Sequence, residues 1–500
     1  PPDDDRSFFH LAGYHGEPFR GPGATSSQYW GGYCQHGNVL FPTWHRAYLL
    51  QFEEALRSAP GCENVTLPFW DETSQDSLDN GIPWALTQEN VELDGQTIPN
   101  PLRSFRLNAD IVDRVNADSS IYTKLKGYET VRFPLAGLVG TAGYAEETAA
   151  YNKKFSYAQC VTMLNENITY ALAYTVTRDG QQVFAGAVAE AYQHCLDAPT
   201  YTVFSNTSSA NQWNGEHTHI EVPLEQPHNS IHVAVGDQFI PEDPTSPLAS
   251  GDMGEPDTAG FDPIFFFHHC FIDRLFWLWQ QRHSSTDHLD IVAGYAGTNS
   301  SGDPKQGGQP PTPGIEPNTA LDLNTPLYPF RKQDGKPYTS TDCINIEKLG
   351  YTYGPGSLQD LPAPADKPAS PATVISAFGI NRANINGSFL ISAFANTNGR
   401  PVHLGTQAVF NRWDVSTCAN CQTHLEAQAF LTVPPAAPQL MALATQDMPA
   451  DKSSYTVLVR THTGIITPRQ PGTGLAAETL VADIAGGEQP DFDFEIRQFR

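Results

Sequence analysis

Apolar residues recur at steps of three and four from His45 to Ala59, where His45, Leu49, Phe52 and Leu56 share one stripe. This spacing predicts an amphipathic helix. The same period returns from Asp262 to His283, with His269, Ile272, Phe276 and Trp279 on one face and Asp262-Pro263 as a starting cap. Each helix turns a histidine toward a core. Further along, Phe389–Phe394, Gln407–Phe410, Glu426–Val433 and Tyr455–Thr461 are short, apolar, β-branched or aromatic, and bounded by Gly, Pro and Asn, which reads as strands. Between the two regimes lies GPGSLQDLPAPADKPASPA, residues 354–372, without apolar periodicity. The expected organisation is a helical domain over 1–353, a linker over 354–372 and a C-terminal β-sandwich domain over 373–500. Residues 81–215 mix short helical patterns with loops, and 302–317 read as an irregular surface loop.

Composition narrows the partners. No run of about 18 apolar residues is present to span a bilayer, so a membrane is not expected as a partner. Lys and Arg number 29 against 55 Asp and Glu, a formal charge of −26 spread along the chain. That surface repels phosphate backbones, so nucleic acid is not expected either. Five Asn-x-Ser/Thr sequons, at Asn64, Asn167, Asn206, Asn299 and Asn386, together with eight cysteines, point to a secreted glycoprotein. Cys34 precedes His36 by two, Cys270 follows His269, and Cys418 and Cys421 form a CxxC. The other four, Cys62, Cys160, Cys195 and Cys343, allow three pairings.

The chemistry lies in six histidines that fall into two triplets. His15 in GYHGEPF, His36 in YCQHG and His45 in FPTWHR make the first; His228 and His232 in PHNSIH, with His269 in DPIFFFHHC, make the second. An i, i+4 pair presents two imidazoles on one helix face. The residues inside HNSIH include no glutamate, unlike the HExxH of zinc proteases, and no carboxylate joins the sets as in non-haem iron sites. All-imidazole sites suit copper. His217 and His219 sit in a polar GEHTH loop and read as surface residues.

With these motifs on view, the chain resembles the type 3 copper proteins, and among them the fungal tyrosinases and catechol oxidases. The resemblance spans roughly residues 7–355 and rests on YCxHG, FPTWHR, HNxxH and FDPIFFxHHCxxDRL. It implies a mainly α fold, with an antiparallel four-helix bundle housing two copper ions. His15, His36 and His45 would hold one ion, and His228, His232 and His269 the other. His269 is preferred over its neighbour His268 because Asp273 follows it by four, as in the family. The resemblance further implies a thioether from Cys34 to His36, an aromatic at Phe265 over the second copper, and a water held by Glu225 and Asn229. Tyr351-Thr352-Tyr353 matches the element that ends the family's catalytic domain. A C-terminal β domain in latent members covers the site with an aromatic, for which Phe410 is a candidate, and some carry a copper-delivering CxxC there. For Cys418 and Cys421 a plain disulfide stands beside that role.

The implied activity is oxidation of o-diphenols to o-quinones with O2 as co-substrate. Ortho-hydroxylation of monophenols comes with it if the water at Glu225 and Asn229 takes the phenolic proton. Phenolic small molecules are the expected partners. Two other readings share the site: a catechol oxidase without monophenolase activity, and a haemocyanin-like oxygen carrier. The sequence sets no oligomeric state.

Overall fold

The computed structural model describes residues 4–17, 31–113, 122–137, 142–173, 175–178, 181–184, 188–240, 250–300, 312, 315–361, 372–397, 400–415, 418–433, 452–469 and 492–499. Most of the expected loop at 302–317, and residues 362–371 of the expected linker, lie outside these.

Among the described residues the helices are α1 (Phe8–Gly16), α2 (Phe41–Arg57), α3 (Gln75–Asn80), α4 (Ala142–Asn152), α5 (Tyr157–Leu172), α6 (Val188–Cys195), α7 (Tyr201–Ser205), α8 (Thr207–Glu216), α9 (Glu225–Gly236) and α10 (Ile264–Arg282). Both periodic stretches are helical, each within a few residues of the expected bounds. α2 carries Pro42 in its first turn, where a missing N–H costs nothing, and the Asp262 carboxylate accepts the Ile264 N–H at 3.2 Å ahead of α10. α5 opens on a reciprocal cap between Ser156 and Gln159. None of these helices is long and apolar enough to cross a membrane.

The chain as a whole is mixed helix and sheet, and the helical core expected over 1–353 carries short strand pairs as well. Segments between helices close into hairpins, β1 (Asn90–Leu93) with β2 (Gln96–Pro99), β3 (Ile111–Asp113) with β4 (Tyr122–Lys124), β5 (Thr175–Arg178) with β6 (Gln181–Phe184), and β7 (Pro326–Arg331) with β8 (Pro337–Thr339). C-terminal strands β9 (Ala372–Asn381), β10 (Phe389–Thr397), β11 (Arg400–Val409), β12 (Glu426–Thr432), β13 (Tyr455–Thr461), β14 (Gly464–Ile466) and β15 (Asp493–Phe499) form two sheets, in orders β11-β10-β13-β14 and β12-β9-β15. One apolar cluster serves both, including Ile375, Ile391, Val457 and Phe494.

The larger core is built on α2, α9 and α10. Trp44, Phe265, Phe276, Ile231 and Leu275 are fully buried in it, and Leu390, Ala408 and Phe410 from the C-terminal strands join the same cluster. Each such side chain contributes roughly 1.5–3 kcal/mol when withdrawn from water. One residue past His45, Arg46 runs into this core. Its Nε donates to Asp273 at 2.5 Å, and its terminal nitrogen donates to Gln280 and to the carbonyls of Cys343 and Ile344. Tyr351 and Tyr353 both donate to the other Asp273 oxygen at 2.6 Å. Asp273 is thus where α2, α10 and the Tyr-x-Tyr segment meet. Replacing it by alanine strands the buried Arg46 charge and should cost about 3–5 kcal/mol. Denaturant unfolding of Asp273→Ala checks this, and a loss under about 1 kcal/mol would contradict it.

Candidate metal centre

Three elements bring the first triplet together. His15 lies in the last turn of α1, His36 in the loop before α2, and His45 in the first turns of α2. Their ring centroids are 5.2, 5.8 and 5.4 Å apart, and the Nε2 atom of each is buried with no hydrogen-bond partner. The second triplet comes from α9, which carries His228 and His232, and α10, which carries His269. His269 Nε2 lies 3.3 Å from His228 Nε2 and 3.2 Å from His232 Nε2. The triplets face each other, with His45 stacked on His269 at 4.6 Å and His36 5.6 Å from His228.

The outward ring nitrogens explain the orientation. Nδ1 of His15 meets the Pro256 carbonyl at 2.9 Å, that of His45 the Phe41 carbonyl at 2.8 Å, and that of His232 the Met253 carbonyl at 2.9 Å. Nδ1 of His228 meets Asn229 Oδ1 at 2.9 Å. A carbonyl only accepts, so it fixes the proton on Nδ1 and leaves the Nε2 lone pair pointing inward, as a metal ligand requires. Burial holds His15, His36, His228, His232 and His269 well below the usual histidine pKa, and His45 at about 3. All six imidazoles are therefore neutral and ligand-ready at neutral pH. Unpartnered buried nitrogens of this kind are costly unless a ligand takes them, and an all-imidazole donor set fits copper.

Glycine makes the anchors reachable. A Cβ at Gly236, the last residue of α9, would overlap the backbone nitrogen of Gly254, so only glycine lets the 250–257 segment press against the helix end and offer Met253 to His232. A Cβ at Gly16 would likewise overlap the Asp257 backbone beside Pro256.

The remaining expected residues fall as follows. Phe265 stacks on His269 at 4.0 Å and meets His15 edge-on at 5.0 Å. Cys34 is buried, and its sulfur lies within 4.8 Å of a ring nitrogen of both His15 and His36. Glu225, buried in the first turn of α9, accepts the Gly37 N–H at 2.8 Å on one oxygen and the Thr207 N–H and hydroxyl on the other. It ties the His36 loop to α9. His219 is exposed beside Glu221, and His217 stacks on Trp213, away from the triplets. Two sequons need correction. Asn167 and Asn206 are fully buried, and their amide nitrogens donate to Ala234 and Asp237 carbonyls and to Ser205 and Ser209 hydroxyls, so neither offers a glycan acceptor. Asn64, Asn299 and Asn386 are exposed. Cys418 and Cys421 are joined as a disulfide, while Cys62, Cys160, Cys195 and Cys343 are unpaired.

C-terminal residues reach the centre. The Phe410 ring stacks on His232 at 4.2 Å and lies within 6.3 Å of His15, His36 and His228. Arg382 holds the Phe410 carbonyl at 2.6 Å, and Arg412 pairs with buried Asp257 while donating to the Gly16 and Gly31 carbonyls. Asn420 donates to the His36 carbonyl at 2.6 Å. Sequence reasoning did not single out Arg382, Arg412 or Asn420.

Residues 5–282 match the family model described as the common central domain of tyrosinase. That match covers more than half of the chain. The chain belongs to the tyrosinase family. A tyrosinase from Hahella is 50% identical over 456 residues, covering 86% of this chain and 81% of the relative. A tyrosinase from Aspergillus oryzae is 44% identical over 458 residues, covering 85% and 82%. A solved tyrosinase from Burkholderia thailandensis superposes with a TM-score of 0.78 at 43% identity, over 99% of this chain and 93% of that one. This tyrosinase-family chain is a copper-dependent polyphenol oxidase whose cofactor is a dinuclear copper site.

Between the two carbonyl anchors sits Glu255, fully buried, with neither carboxylate oxygen hydrogen-bonded among the described residues. His462 Nε2 is 3.9 Å away, and Asp257, Lys124, Asp237 and Asp252 surround it. Burial first, then the acidic neighbours, push its pKa well above the usual carboxylate value. The folded chain keeps a proton there that the unfolded chain gives up. Its contribution to stability is therefore complete below the ordinary carboxylate range and is lost as pH climbs through the raised folded value. Glu255→Gln should gain stability relative to the parent as pH rises from 4 to 8 in thermal unfolding. An offset that does not change with pH would contradict this.

Proposed function

We propose that this chain oxidises o-diphenols to o-quinones and hydroxylates monophenols at the ortho position, with His15, His36 and His45 holding one copper and His228, His232 and His269 the other. The observation that carries the reading is the convergence of the Nε2 atoms of both triplets, unpartnered in the first and within 3.3 Å of His269 Nε2 in the second, while four outward nitrogens are bound to carbonyl oxygens. Bound copper supplies O2 binding and electron transfer. Two o-diphenols give up four electrons and four protons to one O2, leaving two o-quinones and two waters. A monophenol with one O2 leaves one o-quinone and one water.

The chain supplies position and proton handling. Phe265, stacked on His269, gives a phenol ring a flat apolar face. Glu225 and Asn229 hold the water that takes the phenolic proton; the Glu225 oxygen that accepts the Gly37 N–H keeps a second lone pair for it. Cys34, placed beside His36, is read as its thioether partner.

Phe410 stands where a substrate ring would stack, and this supports reading the chain as latent, with 373–500 a β-sandwich cover joined through 354–372 to a catalytic domain over 1–353. Helices α2, α5, α9 and α10 are read as the antiparallel bundle around the coppers. Secretion is proposed as well, with Asn64, Asn299 and Asn386 as glycan acceptors. Permanent occupation by Phe410 would instead suit an oxygen carrier. Oxygen uptake by the copper-loaded chain, with a monophenol and an o-diphenol given separately, tests these readings. Phe410→Ala, or cleavage within 354–372, should raise uptake with both substrates at least about tenfold, on the order of 1.4 kcal/mol of relieved obstruction. Uptake with the diphenol alone would mean a catechol oxidase, and none in any form an oxygen carrier.

A further inference from the structure

Away from the six-histidine centre, a second group of metal-ligating side chains meets where the 250–257 segment touches the C-terminal strands. Lys124 pairs with Asp252 at 2.5 Å, and Arg412 pairs with Asp257. That leaves Glu255 and Asp237 flanking one imidazole. His462 Nε2 lies 3.9 Å from Glu255 Oε1 and 3.7 Å from Asp237 Oδ2, and it shares a hydrogen bond of 3.0 Å with Ser250 Oγ. Glu255 and His462 are buried, and neither Glu255 oxygen has a hydrogen-bond partner among the described residues. A buried carboxylate in that condition is costly unless a ligand takes it.

The groups come from three elements. Asp237 follows α9, Glu255 lies between the Met253 and Pro256 carbonyls, and His462 sits in the turn joining β13 to β14. The loop before β10 lets them meet. Gly387 there has a φ of 74°, and a Cβ on it would come to 3.0 Å from both Glu255 Oε1 and His462 Cδ2. The Asp237 side chain is 21% exposed, which gives an ion a way in from solvent.

We propose that Glu255, Asp237 and His462 form a site for one divalent transition cation of the zinc type, distinct from the dicopper centre. Two carboxylates match its charge, and a mixed imidazole and carboxylate set suits zinc better than calcium or magnesium, which take oxygen ligands. Zinc bonds of about 2.0–2.2 Å place neighbouring ligand atoms about 3.4 Å apart, so the 3.7 and 3.9 Å separations close on an ion with a shift of about half an ångström. The ion takes the place of the proton that buried Glu255 otherwise keeps, so binding strengthens as pH rises. Bound there, it ties the segment that anchors His15 and His232 to the C-terminal strands.

Equilibrium dialysis of the copper-loaded full chain against Zn2+, followed by total metal analysis, tests this, with folding checked by near-UV circular dichroism. The parent should hold one metal ion more per chain than Glu255→Gln and, independently, than His462→Gln. Equal metal content in the parent and either folded variant would overturn the site. Zinc K-edge absorption of the parent needs no variant: a single imidazole among oxygen ligands is expected, and two or more imidazoles, or no retained zinc, would refute the assignment.

Discussion

Everything at the centre of this protein follows from one requirement, that six uncharged imidazoles be buried together with their Nε2 atoms inward. Burial removes the proton each would otherwise carry, and a carbonyl on the far nitrogen decides which lone pair remains. For His15, His45 and His232 those acceptors are backbone atoms, so the fold around the helices has to deliver particular carbonyls to particular rings. Gly236 and Gly16 permit the contacts that deliver Met253 and Pro256. Arg46 and Asp273, next to His45 and four residues after His269, lock the two ligand-bearing helices in register.

The same short segment links the centre to the C-terminal strands. Residues 253 and 256 hold one imidazole from each triplet, Gly254 accepts from Ser388, and Asp257 pairs with Arg412. Phe410, fixed through its carbonyl by Arg382, then fills the space over His232. Polar clamps at the rim and one aromatic in the middle make a contact that shields the site without covalent attachment to it.

Much of the site was legible because four of its histidines sit on helices at fixed offsets: HxxxH on α9, and a histidine on the inward stripe of α2 and of α10. The late strands were legible from β-branched runs between turn residues. What escaped notice has physical reasons. Backbone carbonyls at Phe41, Met253 and Pro256 carry no residue-type signal. Glu72 is 196 positions from His268, and nothing local marks it as that ring's partner. Sequons report a residue pattern and not burial, so Asn167, inside α5 and bonded to the end of α9, looked like an acceptor. The hairpins between helices were obscured because stretches rich in Asn, Asp and Gly read equally as loops.

The most direct measurement is anomalous diffraction from copper-loaded crystals of the full chain. The account predicts two copper peaks. One is bonded at about 2 Å to Nε2 of His15, His36 and His45, and the other to Nε2 of His228, His232 and His269. A single peak between the triplets, or coordination through the carbonyl-facing Nδ1 atoms, would contradict it.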